Sequence, residues 1–392
     1  MMLNRSANVR SRWLLTPLLL LSVWCLPTLA WADPPPRQEW ARLFGTANDD
    51  RAISIAVSRS GQIYAGGHTN PPGGARDNFL AKINNCAVPE WFQQWDGNIV
   101  SGVAVDDCEF VSVAADNDIP PPGPARLRRL DQCGRCYWEA GFPDLGTPYY
   151  SGGVGIWRTL TYVGARSSLG VHVAQFDPSG NRRWVATLNH TTDGFHHVGD
   201  LTVDHHGNCY LAGQTDKTAT GQPTRGGQDN FVVKFDRNGQ ECWRQIWGTD
   251  RSDQPLDVVL DRHGNVIVCA NATIGATTTT SLVVFDGNGT LRSNTPVTTT
   301  NWNGATFDLA GRLYRNEGFH VSRYLFEPTN ATWTRDSWQW SIPAISSNTQ
   351  VRWLASDPQG NIYLTGYTDR DFFGEPRLGG VDGFVVKLVT TN

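Results

Sequence analysis

Three carboxylates recur with a lysine five residues on: Asp77 with Lys82, Asp229 with Lys234 and Asp382 with Lys387, each pair bracketing a Phe as Asp-x-Phe-x-x-Lys. Carboxylates gathered around a ring would suit a cation or a polar ligand. A residue that returns in each unit of a repeat first serves the unit, however, and fixing a loop is the commoner duty of such a group. The turns Asp236-Arg237-Asn238-Gly239 and Asp286-Gly287-Asn288-Gly289 resemble the opening of a calcium loop. Neither has the downstream bidentate Glu that such a loop requires, so no cofactor is expected, with calcium as the alternative.

Cysteines break the repeat instead of following it. Beyond Cys25 they are Cys86, Cys108, Cys133, Cys136, Cys209, Cys242 and Cys269. The first four fall in turns on one rim of adjacent units, and in an oxidising compartment Cys133 with Cys136 and Cys86 with Cys108 are the expected disulfides. A four-cysteine zinc site has the right ligand number but one Cys-x-x-Cys pair, and a redox role for Cys133 lacks a helix N-terminus to lower its pKa. Cys209, Cys242 and Cys269 lie on strands and are expected to be buried. The histidines divide: His205 and His206 belong to a turn, whereas His190, His196 and His197 belong to the opposite face. No Ser/His/Asp order and no phosphate loop in a strand-to-helix setting is present, so no catalytic residue is assigned.

What must position these groups is a tandem unit. Asp204-His205-His206-Gly207-Asn208-Cys209-Tyr210-Leu211-Ala212-Gly213 returns as Asp357 to Gly366, and in worn form at Ser58 to Gly67, Asp261 to Ala270 and Asp308 to Glu317. The gap between Gly61 and Gly207 holds two further copies, near Val105-Asp106 and Tyr162-Val163-Gly164. Strand-like units repeating every ~50 residues are the mark of a β-propeller with one four-stranded blade per repeat. Seven units predict an all-β, seven-bladed propeller over residues 40–392. An extra strand at Trp40 to Thr46 precedes the first unit and the last unit stops after its third strand, so the N-terminal strand should complete the last blade and close the ring. Trp91, Trp138, Trp184, Trp243 and Trp338 recur on outer strands and should fill the gaps between blades.

Trp40-x-Arg42-x-x-Gly45-Thr46, Asp-x-x-Gly-Asn-x-Tyr-x-x-Gly and Asp-x-Phe-x-x-Lys together resemble the bacterial SBBP β-propeller repeat. The resemblance implies an exported or surface-associated propeller and implies no catalytic set. Units two, three and six depart from the pattern, unit two by placing Glu109 where the turn glycine belongs.

Residues 1–32 read as a secretory signal, with Arg5, Arg10 and Arg12 before an apolar run from Trp13 to Leu26 and Ala30-Trp31-Ala32 at its end. A Pro-rich leader occupies 33–39. The run is broken by Pro17 and Pro27 and is too short to span a bilayer. With 37 acidic against 33 basic residues the chain is mildly acidic, which argues against nucleic acid as a partner. The longest loops, Thr69 to Arg76, Asp116 to Pro124, Thr215 to Gln228, Gly275 to Thr280 and Asp369 to Gly380, should share one face around the channel mouth. Loops on a rigid scaffold commonly carry specificity. Asp77, Asp229, Asp382, Tyr367, Arg370, Phe372 and Phe373 are the candidate ligand contacts. The expectation is an exported, monomeric, non-enzymatic module that binds a protein or a glycan; the alternative is a carbohydrate-active lyase or hydrolase with its site at the channel mouth.

Overall fold

The Asp-x-x-Gly turn explains itself atom by atom. In the copy at 204–210, Gly207 N–H donates to the Asp204 carbonyl at 3.0 Å, while Asp204 Oδ1 accepts the N–H groups of His206 (2.9 Å) and Asn208 (2.8 Å). Asp204 Oδ2 takes the Asn208 amide at 2.7 Å and the Tyr210 hydroxyl at 3.2 Å. Gly207 has φ +85°, a left-handed conformation that costs a side-chain-bearing residue about 1–2 kcal/mol. Asp, Gly, Asn and Tyr are thus one hydrogen-bonded unit, and 357–363 repeats it. Each such turn reverses the chain into an antiparallel partner, and alternation of side chains across the strands then gives every sheet two apolar faces.

The computed structural model describes residues 36–116, 125–141, 150–189, 195–216, 226–274, 277–298, 304–308, 310–327, 332–342, 346 and 348–390. It is all β: seven sheets of four antiparallel strands. The first strands are Asp49–Val57, Ile99–Val105, Tyr150–Trp157, Phe195–Val203, Gln254–Leu260, Ala305–Phe307 and Gln350–Ser356. Each touches the next, and the last touches the first, so these seven surround a central axis. Blades 1 to 6 take their four strands in chain order. Blade 7 is completed by Arg37–Phe44, which runs antiparallel to Asp382–Val389 with Ala41 opposite Val386 and Leu43 opposite Phe384. The predicted closure is therefore present, and no sheet edge is left open between the chain ends.

The core lies in the seams between blades. Phe79, Ala65 and Ile63 of blade 1 pack with Tyr363 and Val385 of blade 7, and Tyr64 and Leu80 pack with Val100, Val111 and Val113 of blade 2. The tryptophans seal the outer part of four seams. Trp91, Trp138, Trp184 and Trp243 donate their indole N–H to Gln132, Pro178, Arg237 and Gly287 carbonyls in the next blade, at 2.9–3.1 Å. Their rings lie on Gly134, Gly180, Gly239 and Gly289, where an added Cβ would come within 2.7–3.0 Å. A further latch closes the inner end. Six first strands carry a bulge, and in blades 1 and 5 the side chain beside it reaches across the seam: Ser54 Oγ accepts Val103 N–H at 3.1 Å, and Asp257 accepts Ala305 N–H.

The residues assigned to the signal, 1–32, and part of the leader, 33–35, lie outside the described residues, as do most of the Asp116 to Pro124 loop, 217–225, 275–276 and His190. Among the described residues no helix is long and apolar enough to cross a membrane.

Candidate functional site

Antiparallel strands put the two kinds of connection on opposite faces of the ring. The tight Asp-x-x-Gly turns form the lower face. Loops from second to third strand, together with the passages between blades, form the upper face, where the chain is least repetitive.

The Asp-x-Phe-x-x-Lys residues belong to the scaffold of that upper face. Asp77 accepts the Gln94 side-chain amide at 2.9 Å within its own blade. Asp382 accepts the N–H groups of Leu378 (2.8 Å) and Gly379 (3.1 Å), tying down its loop; burial pushes its carboxyl up. Asp229 is fully buried beside Gly248. The three stand in separate blades, and among the described residues no three metal-binding side chains gather anywhere. Their lysines work at the other end: Lys82 and Lys234 lie over the rings of Tyr64 and Tyr210 and donate to Gln132 and Gly287 carbonyls of the next blade. Lys387 lies over Tyr363 and pairs with Glu39 at 2.8 Å.

The 369–380 loop is built into the closure of the ring. Phe372 is 1% exposed and stacks on Phe384 at 4.6 Å. Glu375 anchors Arg42 at 2.7 Å and Leu43 N–H at 3.2 Å on the N-terminal strand. Phe373 is partly exposed and stacks on Trp340, and Arg370 is exposed beside Asp369. Tyr367 instead is buried at the upper end of its strand, where Arg51 of blade 1 lies 5.0 Å over its ring.

Cys86, Cys108, Cys133 and Cys136 do share the lower rim, but all seven described cysteines are free thiols and neither expected pair is joined. Cys209 and Cys269 are buried as expected. Cys242 is not: it sits on the outermost strand of blade 4, one face of which meets solvent, and it is exposed. His205 and His206 lie in a lower-face turn with ring centroids 3.8 Å apart, while His197 is on the inner strand at the upper end.

Of the feature that most resembles a site, sequence reasoning picked out Tyr367 alone. Four residues past the Tyr position of each second strand, the ring carries His68, Asp116, Arg166, Gln214, Asn271, Gly318 and Tyr367 in blades 1 to 7. Six of these pair across strands with the upper ends of first strands: His68 with Arg51, Asp116 with Ile99, Arg166 with Tyr150, Asn271 with Gln254, Gln214 with His197, and Tyr367 with Gln350. In six blades the position sits directly after a small residue, Gly or Ala; in blade 6 it follows Glu317. Its failure to repeat is the signal that could have marked it. His68 is 5% exposed with both ring nitrogens lacking a partner, and burial together with Arg76, Arg51 and Arg352 pushes its pKa down to about 4. His197 Nδ1 is likewise buried and unpartnered, and burial with Arg166 nearby lowers its pKa. Imidazoles, arginines, amides and a phenol thus stand at the upper ends of the strands, and of them His68, Arg51, Arg352 and Tyr367 lie near one another where blade 7 meets blade 1. Such a set can hydrogen-bond hydroxyls and bind anions.

The architecture and the turn chemistry define a β-propeller. Residues 344–373 match the β-propeller repeat SBBP, the family whose pattern the units resemble. No curated protein matches the chain. Among solved structures, catalytically inactive virginiamycin B lyase from Staphylococcus aureus with quinupristin is 11% identical, covers 88% of this chain and 98% of its own, and has a TM-score of 0.58. The Pan2 WD40 domain of Neurospora crassa is 10% identical with coverage of 91% and 96% and a TM-score of 0.57. The WD40 domain of Toxoplasma gondii coronin is 10% identical, with coverage of 92% and 88% and a TM-score of 0.57. At these identities the likeness is one of fold.

Proposed function

We propose that this protein is an exported, non-enzymatic binding and scaffold module that takes a glycan or protein ligand at the upper mouth of its channel. One observation carries the reading. Four residues past the Tyr position of the second strand, the seven blades hold seven different residues, six of them polar. A scaffold alone gives no reason for such variety, and concave sites with a few convergent polar groups are where ligands bind. The signal-like residues 1–32 support export. A thermal-shift screen of the protein against envelope glycans, calcium and chelator tests the reading. A ligand at 100 times its dissociation constant adds about 2.7 kcal/mol to the folded state. A glycan-specific rise in Tm supports it; no rise with any glycan moves protein partners to the front.

A lyase or hydrolase is favoured by one observation, the neutral and unpartnered His68 set among Arg51, Arg352 and Tyr367. Turnover of a bound glycan that is lost in His68→Ala would establish it.

A further inference from the structure

Cations gather around His68 at the upper end of the seam where blade 7 meets blade 1, while the buried carboxylates of that seam are engaged elsewhere, Asp50 with Thr46 and Asp382 with Leu378 and Gly379. Arg51 and His68 are cross-strand partners, so their side chains leave the same face of blade 1. Arg51 reaches over Tyr367 of blade 7. Tyr367 pairs across strands with Gln350, and Gln350 accepts a 3.3 Å hydrogen bond from Arg352 Nη1. Arg352 is the extra residue of the bulge between Val351 and Trp353, which turns it away from the regular alternation of the strand. Arg76, at the end of the neighbouring loop, donates to Asn98 at 3.4 Å. The charged groups that act on His68 are Arg76, Arg51 and Arg352, all cations, and Arg51 acts in the same repulsive sense on Arg352. Arg51 Nε, Arg352 Nε and both nitrogens of His68 are buried without a partner.

Desolvated like charges repel, and buried donors without acceptors cost stability. A planar anion relieves both at once, because a guanidinium fork matches a carboxylate with two parallel hydrogen bonds. We propose that this seam binds the carboxylate of an acidic glycan, a uronate residue, between Arg51 and Arg352 with His68 as a hydrogen-bonding neighbour. Of the amides at this end of the strands, Gln214 donates to the Asp253 carbonyl and Gln350 accepts from Arg352, which leaves the Gln350 amide N–H and both groups of Gln254 to meet ring hydroxyls; that pairing of donor and acceptor suits a hydroxyl-rich ligand. The inference rests on the mouth being the ligand site.

The test is calorimetric titration and thermal shift of the full chain with trigalacturonate, its neutral methyl ester, a neutral oligosaccharide panel and triglutamate. The acid trisaccharide is expected to bind, with the methyl ester weaker by about tenfold or more, the loss that follows from removing a charged hydrogen-bond partner. Arg51→Gln and Arg352→Gln should each weaken the acid by a similar factor, while Arg59→Gln on the lower face leaves it unchanged. The ligand-free Tm of Arg352→Gln should equal or exceed that of the native protein, because one of several like charges is gone; a fall would make Arg352 a structural partner and overturn the site. Equal binding of acid and ester, or indifference to both substitutions, also overturns it. Triglutamate binding more tightly than the uronate refutes the glycan assignment. If neutral oligosaccharides bind and no acid does, the anion seam falls while the mouth remains the ligand site; if nothing binds, the uronate seam falls and the proposed function is left with a protein ligand.

Discussion

Gly239 and Gly264 occupy the same step of the same kind of turn, yet only one lies beneath a tryptophan. Their N–H groups donate to the carbonyls of Asp236 (2.9 Å) and Asp261 (3.1 Å), and their φ values are +84° and +79°. Substitution by Ala imposes the left-handed penalty of about 1–2 kcal/mol at both, offset at both by about 0.4–1 kcal/mol from a stiffer unfolded chain. At Gly264 the new Cβ meets nothing within 4 Å, whereas at Gly239 it would lie 2.7 Å from Trp184 Cδ2. Relieving that contact means moving a ring whose indole N–H is bonded to Arg237 at 3.1 Å. Overpacking costs about 1–3 kcal/mol and the disturbed hydrogen bond about 1 kcal/mol. Gly239→Ala should therefore be less stable than Gly264→Ala by about 2 kcal/mol. In urea unfolding with a slope of about 3 kcal/mol/M, the two midpoints should differ by about 0.7 M. Coincident midpoints would refute the claim that tryptophan on the neighbouring turn seals the seam.

Glu109 holds φ +62° and accepts the hydroxyls of Tyr64 (2.9 Å) and Ser60 (2.6 Å) across the first seam, where Ser58 replaces the usual turn Asp. Glu109→Gly should therefore fail to stabilise despite relieving the backbone, whereas Ala87→Gly at φ +66° should gain up to ~1 kcal/mol in urea unfolding. His68 binds its proton less tightly when folded, so its contribution is complete above its unfolded pKa near 6.5 and is lost as pH falls towards 4; His68→Gln should flatten the Tm profile across that window. Asp257, buried and hydrogen-bonded to Asp200, has its pKa raised, so the folded state holds the extra proton and stability falls as pH rises above the ordinary carboxylate range. Asp257→Asn, which keeps an acceptor for Ala305 N–H, should remove that slope in pH-dependent denaturation. Thiol labelling should reach Cys209 and Cys269 only after unfolding. In protein recovered from an oxidising compartment, labelling of Cys242 alone is the outcome the Cys86–Cys108 and Cys133–Cys136 pairs predict, and labelling of all five exposed thiols contradicts them.

The parts of the fold legible in the sequence are those fixed by local chemistry. Asp204, Gly207, Asn208 and Tyr210 satisfy one another within seven residues, so their recurrence states the turn wherever it appears. The closure was legible because a strand stood unpaired at each end of the repeat. Cys242 was misjudged because strand membership does not say which face of an outermost strand meets solvent. The mouth was hidden for a different reason: Arg51 and Arg352 are 301 residues apart, and only ring closure brings them to one seam. The bulge that redirects Arg352 leaves no mark in composition or period. The aromatic residues of the 369–380 loop drew attention by type, yet Phe372 is core and Glu375 anchors the N-terminal strand.

The most direct measurement is a crystal structure of the protein soaked with the tightest glycan from the screen. Ligand density at the upper mouth, in contact with Tyr367 and the arginines beside it, is the predicted result. Density on the outer flank of the 369–380 loop, or in the lower-face cavity that His205 and His206 line together with His263 of the next blade's turn, would contradict the account.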